Sequence, residues 1–155
     1  MQAFNVCMNQ NLAYSMNSPQ IRIMLVDDHE LVRGSWKLLL KQNSRFSVIA
    51  ECKNGAEAID EVHRLAPDIV LMDINMSPVN GLEATERITQ KNPSARIIGL
   101  SINSQPIYAR KMMKAGAFGY VTKNSTLQEM THAIIEVHNG RQYICEEVRE
   151  KMKEI

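Results

Sequence analysis

Asp68-Ile69-Val70-Leu71-Met72-Asp73 is the stretch on which the fold turns. Four consecutive apolar residues without polar relief fit a strand buried on both faces, as in a parallel sheet covered by helices on each side. Such a strand delivers its last residue, Asp73, to the carboxyl edge of the sheet, where open α/β folds place their chemistry. A lone Asp at that place more often caps a turn. Its role is therefore decided by what else converges on the same edge.

Four further runs have strand character. Residues 21–26 are apolar except for Arg22 and end in Asp27-Asp28, residues 46–50 begin at Phe46, residues 97–100 end in Ser101, and residues 117–122 end in Lys123. Helical stripes separate them. Val32, Trp36, Leu39 and Leu40 lie on one face, with Trp36 expected in the core, and Gly34 inside that helix costs about 1 kcal/mol relative to Ala. Ala58, Ile59, Val62 and Leu65 follow Asn54-Gly55 and stop at Pro67. Leu82 and Ile88 precede Asn92-Pro93, and residues 107–115 precede Gly116. Ser125 and Gln128 have the spacing of a capping box for the stripe Leu127, Met130, Ile134 and Val137, which stops near Gly140.

Five strand–helix units in strict alternation predict a doubly wound, flavodoxin-like (βα)5 fold. Its five-stranded parallel sheet has the order 2-1-3-4-5, with helices on both faces. Residues 21–140 form that one domain. Residues 1–20, rich in Asn, Ser and Gln, are an N-terminal extension in which Phe4, Val6 and Met8 alternate with Asn5 and Cys7 and permit a short strand. Residues 141–155 are a C-terminal tail or the start of a linker helix, with Val148, Met152 and Ile155 at helical spacing.

Bulk properties exclude several classes of partner. The formal net charge is +1, so neither a polyanion nor a membrane surface is favoured by overall charge. No apolar run approaches the roughly 20 residues that cross a bilayer, and residues 1–20 lack the pattern of a secretion signal. Cys7, Cys52 and Cys145 are odd in number and hold no C-x-x-C pair, against a disulfide framework or a structural zinc site. A reducing cytoplasm is the expected location.

In the predicted strand order, strands 1 and 3 are neighbours, so Asp27, Asp28 and Asp73 meet at one edge. Three close carboxylates raise one another's pKa unless a cation sits among them. Oxygen ligands select a hard ion, Mg2+ over zinc. Ser101 adds a hydroxyl donor and Lys123 a long-stemmed cation. A hydroxyl, an ammonium and Mg2+ around a carboxylate would neutralise a phosphoryl group moving onto that carboxylate. Asp73 is thus expected to be a nucleophile that becomes an aspartyl phosphate.

At these residues the chain resembles a response-regulator receiver domain over residues 21–140. The matching segments are Met24-Leu25-Val26-Asp27-Asp28-His29, Leu71-Met72-Asp73-Ile74-Asn75-Met76 with Gly81 beyond, Gly99-Leu100-Ser101, and the run from Ala115 to Lys123. Asp-Asp-His-Glu-Leu-Val-Arg-Gly and Gly119-Tyr120 are similar to the NarL/FixJ subfamily, whose members usually carry a LuxR-type helix-turn-helix after the receiver. The resemblance implies Asp73 as phosphoacceptor and Asp28, Asp73 and the Asn75 carbonyl as direct Mg2+ ligands, with Asp27 acting through water. It further implies that Lys123 and Ser101 hold phosphoryl oxygens. Tyr120 matches the switch aromatic of a surface made by the fourth helix, fifth strand and fifth helix; its bland alternative is a strand aromatic half in the core.

Two places depart from the family pattern. The usual proline four residues after the phosphoacceptor is Ser77, with Pro78 following, which predicts a differently shaped loop and bears on phosphoryl lifetime. Asn124 stands where many members have a cis proline; a cis bond before Asn costs roughly 3 kcal/mol, so a trans bond is expected.

The implied partners are a sensor histidine kinase and, through the fourth, fifth or first helix, a second copy. With no helix-turn-helix or basic patch in residues 1–155, specific DNA binding by this stretch alone is not expected. Output runs through a DNA-binding domain outside this chain or, alternatively, through protein contacts of a stand-alone receiver. An aspartate-nucleophile phosphatase would want a second acid where Asn75 stands. A flavodoxin-like FMN binder would want a phosphate-cradling loop where Asp27-Asp28 stand.

Overall fold

Parallel pairing of buried strands organises the whole chain. The computed structural model describes residues 18–154, so the candidate strand at Phe4, Val6 and Met8, Cys7 and the helical position of Ile155 lie outside the described residues. The elements are β1 (Ile21–Val26), α1 (Glu30–Lys41), β2 (Phe46–Cys52), α2 (Gly55–Leu65), β3 (Ile69–Asp73), α3 (Gly81–Lys91), β4 (Ile97–Ser101), α4 (Pro106–Lys114), β5 (Gly119–Thr122), α5 (Leu127–His138), β6 (Tyr143–Ile144) and α6 (Glu146–Lys153).

The flavodoxin-like parallel sheet with flanking helices is as expected, but the strand count is corrected. Among the described residues six strands run in the order β2-β1-β3-β4-β5-β6. The sixth, Tyr143–Ile144, pairs in parallel with Gly119 and Tyr120. It is held by main-chain bonds from Tyr143 N to Phe118 O (3.0 Å) and from Cys145 N to Tyr120 O (2.9 Å).

β3 is buried along its full length, which a strand sandwiched between helices requires. Strand alternation divides the core in two. Ile23, Leu25 and Leu71 join Trp36 and Leu40 of α1 and Met130 and Ile134 of α5. Met24, Val26, Val70 and Met72 join Ala58 and Val62 of α2 and Ala84 and Ile88 of α3. Each buried Val, Leu, Ile or Met among them contributes roughly 1.5–3 kcal/mol by leaving water, and the period of two fixes which face every strand residue serves.

Trp36 lies in the core as expected, whereas Leu39 at the edge of the same stripe is exposed. A Cβ at Gly34 would meet nothing, so that glycine is tolerated and serves no close packing. The capping box on α5 is corrected by one residue: the N-cap is Thr126, whose side chain accepts from Glu129 N. The tail is helical over Glu146–Lys153, and Cys145 and Val148 are buried in the same core as β5 and α5. Cys52 and Cys145 are free, buried thiols. Among the described residues no helix is long and apolar enough to cross a membrane.

Candidate functional site at the carboxyl edge of the sheet

The β3 register carries Asp73 opposite Leu100 on β4, and Ser101 pairs with Thr122 on β5. β1 lies on the other flank of β3, so the residues that follow β1 and β5 arrive at the same edge. Asp73 is 1% exposed and Asp27 3%. Lys123 reaches between them, with Nζ 2.9 Å from Asp27 Oδ2 and 3.3 Å from Asp73 Oδ1. Ligand atoms of Asp27, Asp28, His29 and Asp73 all lie within 4.8 Å of one another.

Each group is aimed by local structure. Asp27 Oδ1 accepts from His29 N at 2.8 Å, where the chain turns into α1. Asp73 Oδ1 accepts from Asn75 N at 3.2 Å, a turn in which an Asx side chain bonds its own backbone two residues on. Gly81 N donates to Ile74 O at 2.9 Å and closes the loop after β3. A Cβ at Gly81 would stand 2.0 Å from Asp73 O, so only glycine lets α3 start this close to the strand end.

Burial is the main reason that the Asp73 carboxyl is pushed up from the usual 3.8 to about 6. The charge on Asp27 raises it further, and Lys123 and the Asn75 amide pull it back. One of its oxygens, Oδ2, is buried without a hydrogen-bond partner. Buried carboxylate oxygens are ordinarily satisfied. Three carboxylates, one of them with an unpartnered buried oxygen, are a hard-donor set that fits a divalent ion such as Mg2+.

Ser101 is buried at the neighbouring strand end, and its Oγ accepts from Asn103 N at 3.0 Å. Its hydroxyl is thus engaged within the β4–α4 loop. Tyr120 is fully buried, and its hydroxyl donates to Asn103 O at 2.5 Å. Burial pushes its phenol up to about 12, so the hydroxyl keeps its proton. Gly99 makes room for it: a Cβ there would come within 3.3 Å of the Tyr120 ring and 3.0 Å of Met112.

Beside the loop that follows β3, an open cavity of about 490 Å3 is lined by Asp28, Asn75, Met76, Ser77, Tyr108 and Lys111. The loop beneath it holds a cis Ser77–Pro78 bond, at the place where a departure in loop shape was expected. The Lys123–Asn124 bond is trans, as expected.

Two members of the site carried no role in the sequence reading. His29 Nδ1 lies 3.1 Å from Asp28 Oδ1 and 3.3 Å from Asp27 Oδ1. Arg33, buried on α1, donates from Nη1 to Asp27 O at 2.6 Å and pairs through Nε with Glu51 on β2 at 3.3 Å. Lys37 binds the other oxygen of Glu51 at 2.7 Å, and these contacts, led by Lys37, hold the Glu51 carboxyl below its usual range. The tie fixes the end of β1 from behind. Its signal was the position of Arg33 on the α1 face that carries Trp36 and Leu40.

Comparison with known proteins places this geometry. The family model described as response regulator receiver domain matches residues 23–135. The transcriptional regulatory protein DegU of Brevibacillus brevis is 36% identical over 129 residues, 83% of this chain and 55% of that protein. The response regulator UvrY of Escherichia coli is 36% identical over 132 residues, 85% of this chain and 61% of that protein. Against these two relatives the chain thus spans 55% and 61% of their length. A solved two-component response regulator of the LuxR family from an Aurantimonas species superposes with a TM-score of 0.84 at 36% identity, covering 87% of this chain and 96% of that one.

Proposed function

The chain belongs to the response regulator receiver domain family, and from that premise we propose that Asp73 accepts a phosphoryl group from a sensor histidine kinase and that the β4–α4 region reads its arrival. Two-component receivers of this family are regulatory and not metabolic enzymes. The NarL/LuxR-type relatives are response regulators that include transcription regulators. The observation that carries the reading is Asp73 itself, a buried carboxylate with one unpartnered oxygen, held by an ammonium and facing two further acids.

In the proposed step an Asp73 oxygen forms the new O–P bond as the N–P bond of a phosphohistidine, or the acyl O–P bond of a small donor, breaks. A leaving imidazole takes its proton from water. The Asp73 carboxyl, raised to about 6, is ionised at neutral pH and competent to attack. Lys123, already 3.3 Å from Asp73 Oδ1, pairs with a phosphoryl oxygen, and Ser101 supplies a hydroxyl once it turns from Asn103. Asp28, Asp73 and the Asn75 carbonyl would hold Mg2+, with Asp27 acting through water. When bound, that ion supplies positive charge against the transferring phosphoryl oxygens. The chain catalyses only its own phosphorylation and dephosphorylation. Tyr120 acts as the aromatic of a switch made by α4, β5 and α5.

The whole protein is proposed to be a cytoplasmic regulator that acts on transcription through a helix-turn-helix domain outside residues 1–155, with pairing of two copies as a route to output. Incubation with Mg2+ and acetyl phosphate, followed by intact mass, is expected to show one added phosphoryl group that Asp73→Asn abolishes. No adduct, or one that survives Asp73→Asn, overturns the assignment.

A further inference from the structure

α6 touches the end of β5 and the loop that follows β4, beside the two phosphoryl-holding residues of the proposed reaction. Its Lys151 Nζ donates to Ser104 Oγ in the β4–α4 loop. Its Glu147 Oε2 accepts from Thr122 Oγ1 at 3.3 Å, immediately before Lys123. The preceding residue, Cys145, donates its amide to Tyr120 O at 2.9 Å. Glu129 on α5 seats the start of the helix, accepting from Glu146 N at 2.7 Å and from the Tyr143 hydroxyl at 3.1 Å.

The loop that α6 holds is also the loop that Ser101 holds. Asn103 N donates to Ser101 Oγ, and Asn103 O accepts from Tyr120; the next residue, Ser104, bears the Lys151 contact. A Ser101 hydroxyl that turns toward a phosphoryl group therefore pulls on the segment to which α6 is tied. The seat is shallow. Of α6 itself only Val148 is buried, and a helix with so few buried apolar contacts opens at a fraction of the global unfolding free energy.

We propose that α6 is an intramolecular latch on the receiver, in which Lys151 at Ser104 and Glu147 at Thr122 hold the β4–α4 loop and the end of β5 in the unphosphorylated arrangement. The inference rests on the receiver reading above. Docked α6 and a phosphoryl group on Asp73 oppose each other, and by linkage the opposition is reciprocal: phosphorylation loosens α6, and weakening α6 favours phosphorylation. Lys151 and Glu147 are thus positioning residues for the reaction. A partner that uses the α4 and β5 surface, a second copy included, gains access as α6 leaves it.

Hydrogen exchange of the full chain, with Mg2+ and with or without beryllofluoride as the phosphoryl mimic, tests this directly. The amides of residues 149–153 are expected to exchange about fivefold faster or more in the adduct, with the α2 amides unchanged. Lys151→Met, which keeps the aliphatic stem, is expected to tighten beryllofluoride binding on the order of fivefold, and Glu147→Met, which removes the acceptor from Thr122 Oγ1, is expected to act in the same direction. An adduct that forms while α6 exchange stays constant, or a Lys151→Met variant that binds the mimic no better, overturns the latch and leaves the receiver reading standing. Failure of any adduct to form overturns the receiver reading itself, and the latch with it.

Discussion

Replacing the phosphoacceptor should stabilise the resting protein. Asp73 is 1% exposed, and its carboxyl rises from 3.8 to about 6 on folding because burial and the Asp27 charge outweigh Lys123. A carboxyl whose pKa is raised by folding binds more protons in the native state, so native stability falls as pH climbs through that interval. The penalty is absent below about pH 4, grows between pH 4 and 6, and is complete above pH 6. A gap of about two pKa units corresponds to roughly 3 kcal/mol. Asp73→Asn removes the charge and keeps an oxygen able to accept from Asn75 N, but it gives up the attraction to Lys123. The expected net gain is about 2 kcal/mol above pH 7 in metal-free buffer, or some 4–8 °C in Tm for a chain of this size. Urea unfolding followed by far-UV circular dichroism in EDTA at pH 4, 5.5 and 7.5 gives the comparison, and the variant's advantage should shrink toward zero at pH 4. Mg2+ at saturation should then raise the wild-type midpoint much more than that of the variant. An Asp73→Asn protein no more stable than wild type at pH 7.5, or a gap that is constant with pH, would refute the electrostatic account.

Lys123→Ala leaves Asp27 and Asp73 buried side by side without their cation, and its unfolding free energy from urea titration should drop by on the order of 3 kcal/mol at pH 7.5; adding Asp73→Asn should return most of the loss. Gly81→Ala places a Cβ 2.0 Å from Asp73 O, so the start of α3 must move away from β3. Calorimetry with Mg2+ should show at least tenfold weaker binding together with a Tm lowered by several degrees. Tyr120→Phe removes the bond to Asn103 O with little change of shape. Its cost to stability should be about 1 kcal/mol, while exchange of the amides of residues 102–105 should rise without Mg2+ or a phosphoryl donor.

The convergence of Asp27, Asp28, Asp73 and Lys123 was legible from sequence because it follows from topology alone. Buried runs that alternate with helices admit few arrangements, and the parallel one puts every strand's last residue at one edge. What lay beyond the carboxyl edge of the first five strands was less visible. β6 is two residues held by main-chain bonds to Phe118 and Tyr120, and such pairing leaves no side-chain period to read. Thr126 holds the cap, its Oγ1 accepting from Glu129 N, while the Glu129 side chain turns to the start of α6. Local form alone does not separate Ser125-x-x-Gln128 from Thr126-x-x-Glu129. The same reason hid Arg33, whose role depends on the Asp27 carbonyl and on Glu51 from another strand. The roles that escaped the sequence depend on contacts between separate elements of the fold. Those contacts tie α1 and α6 to the ends of the strands, which is where a charge added at Asp73 must be felt if it is to reach the rest of the molecule.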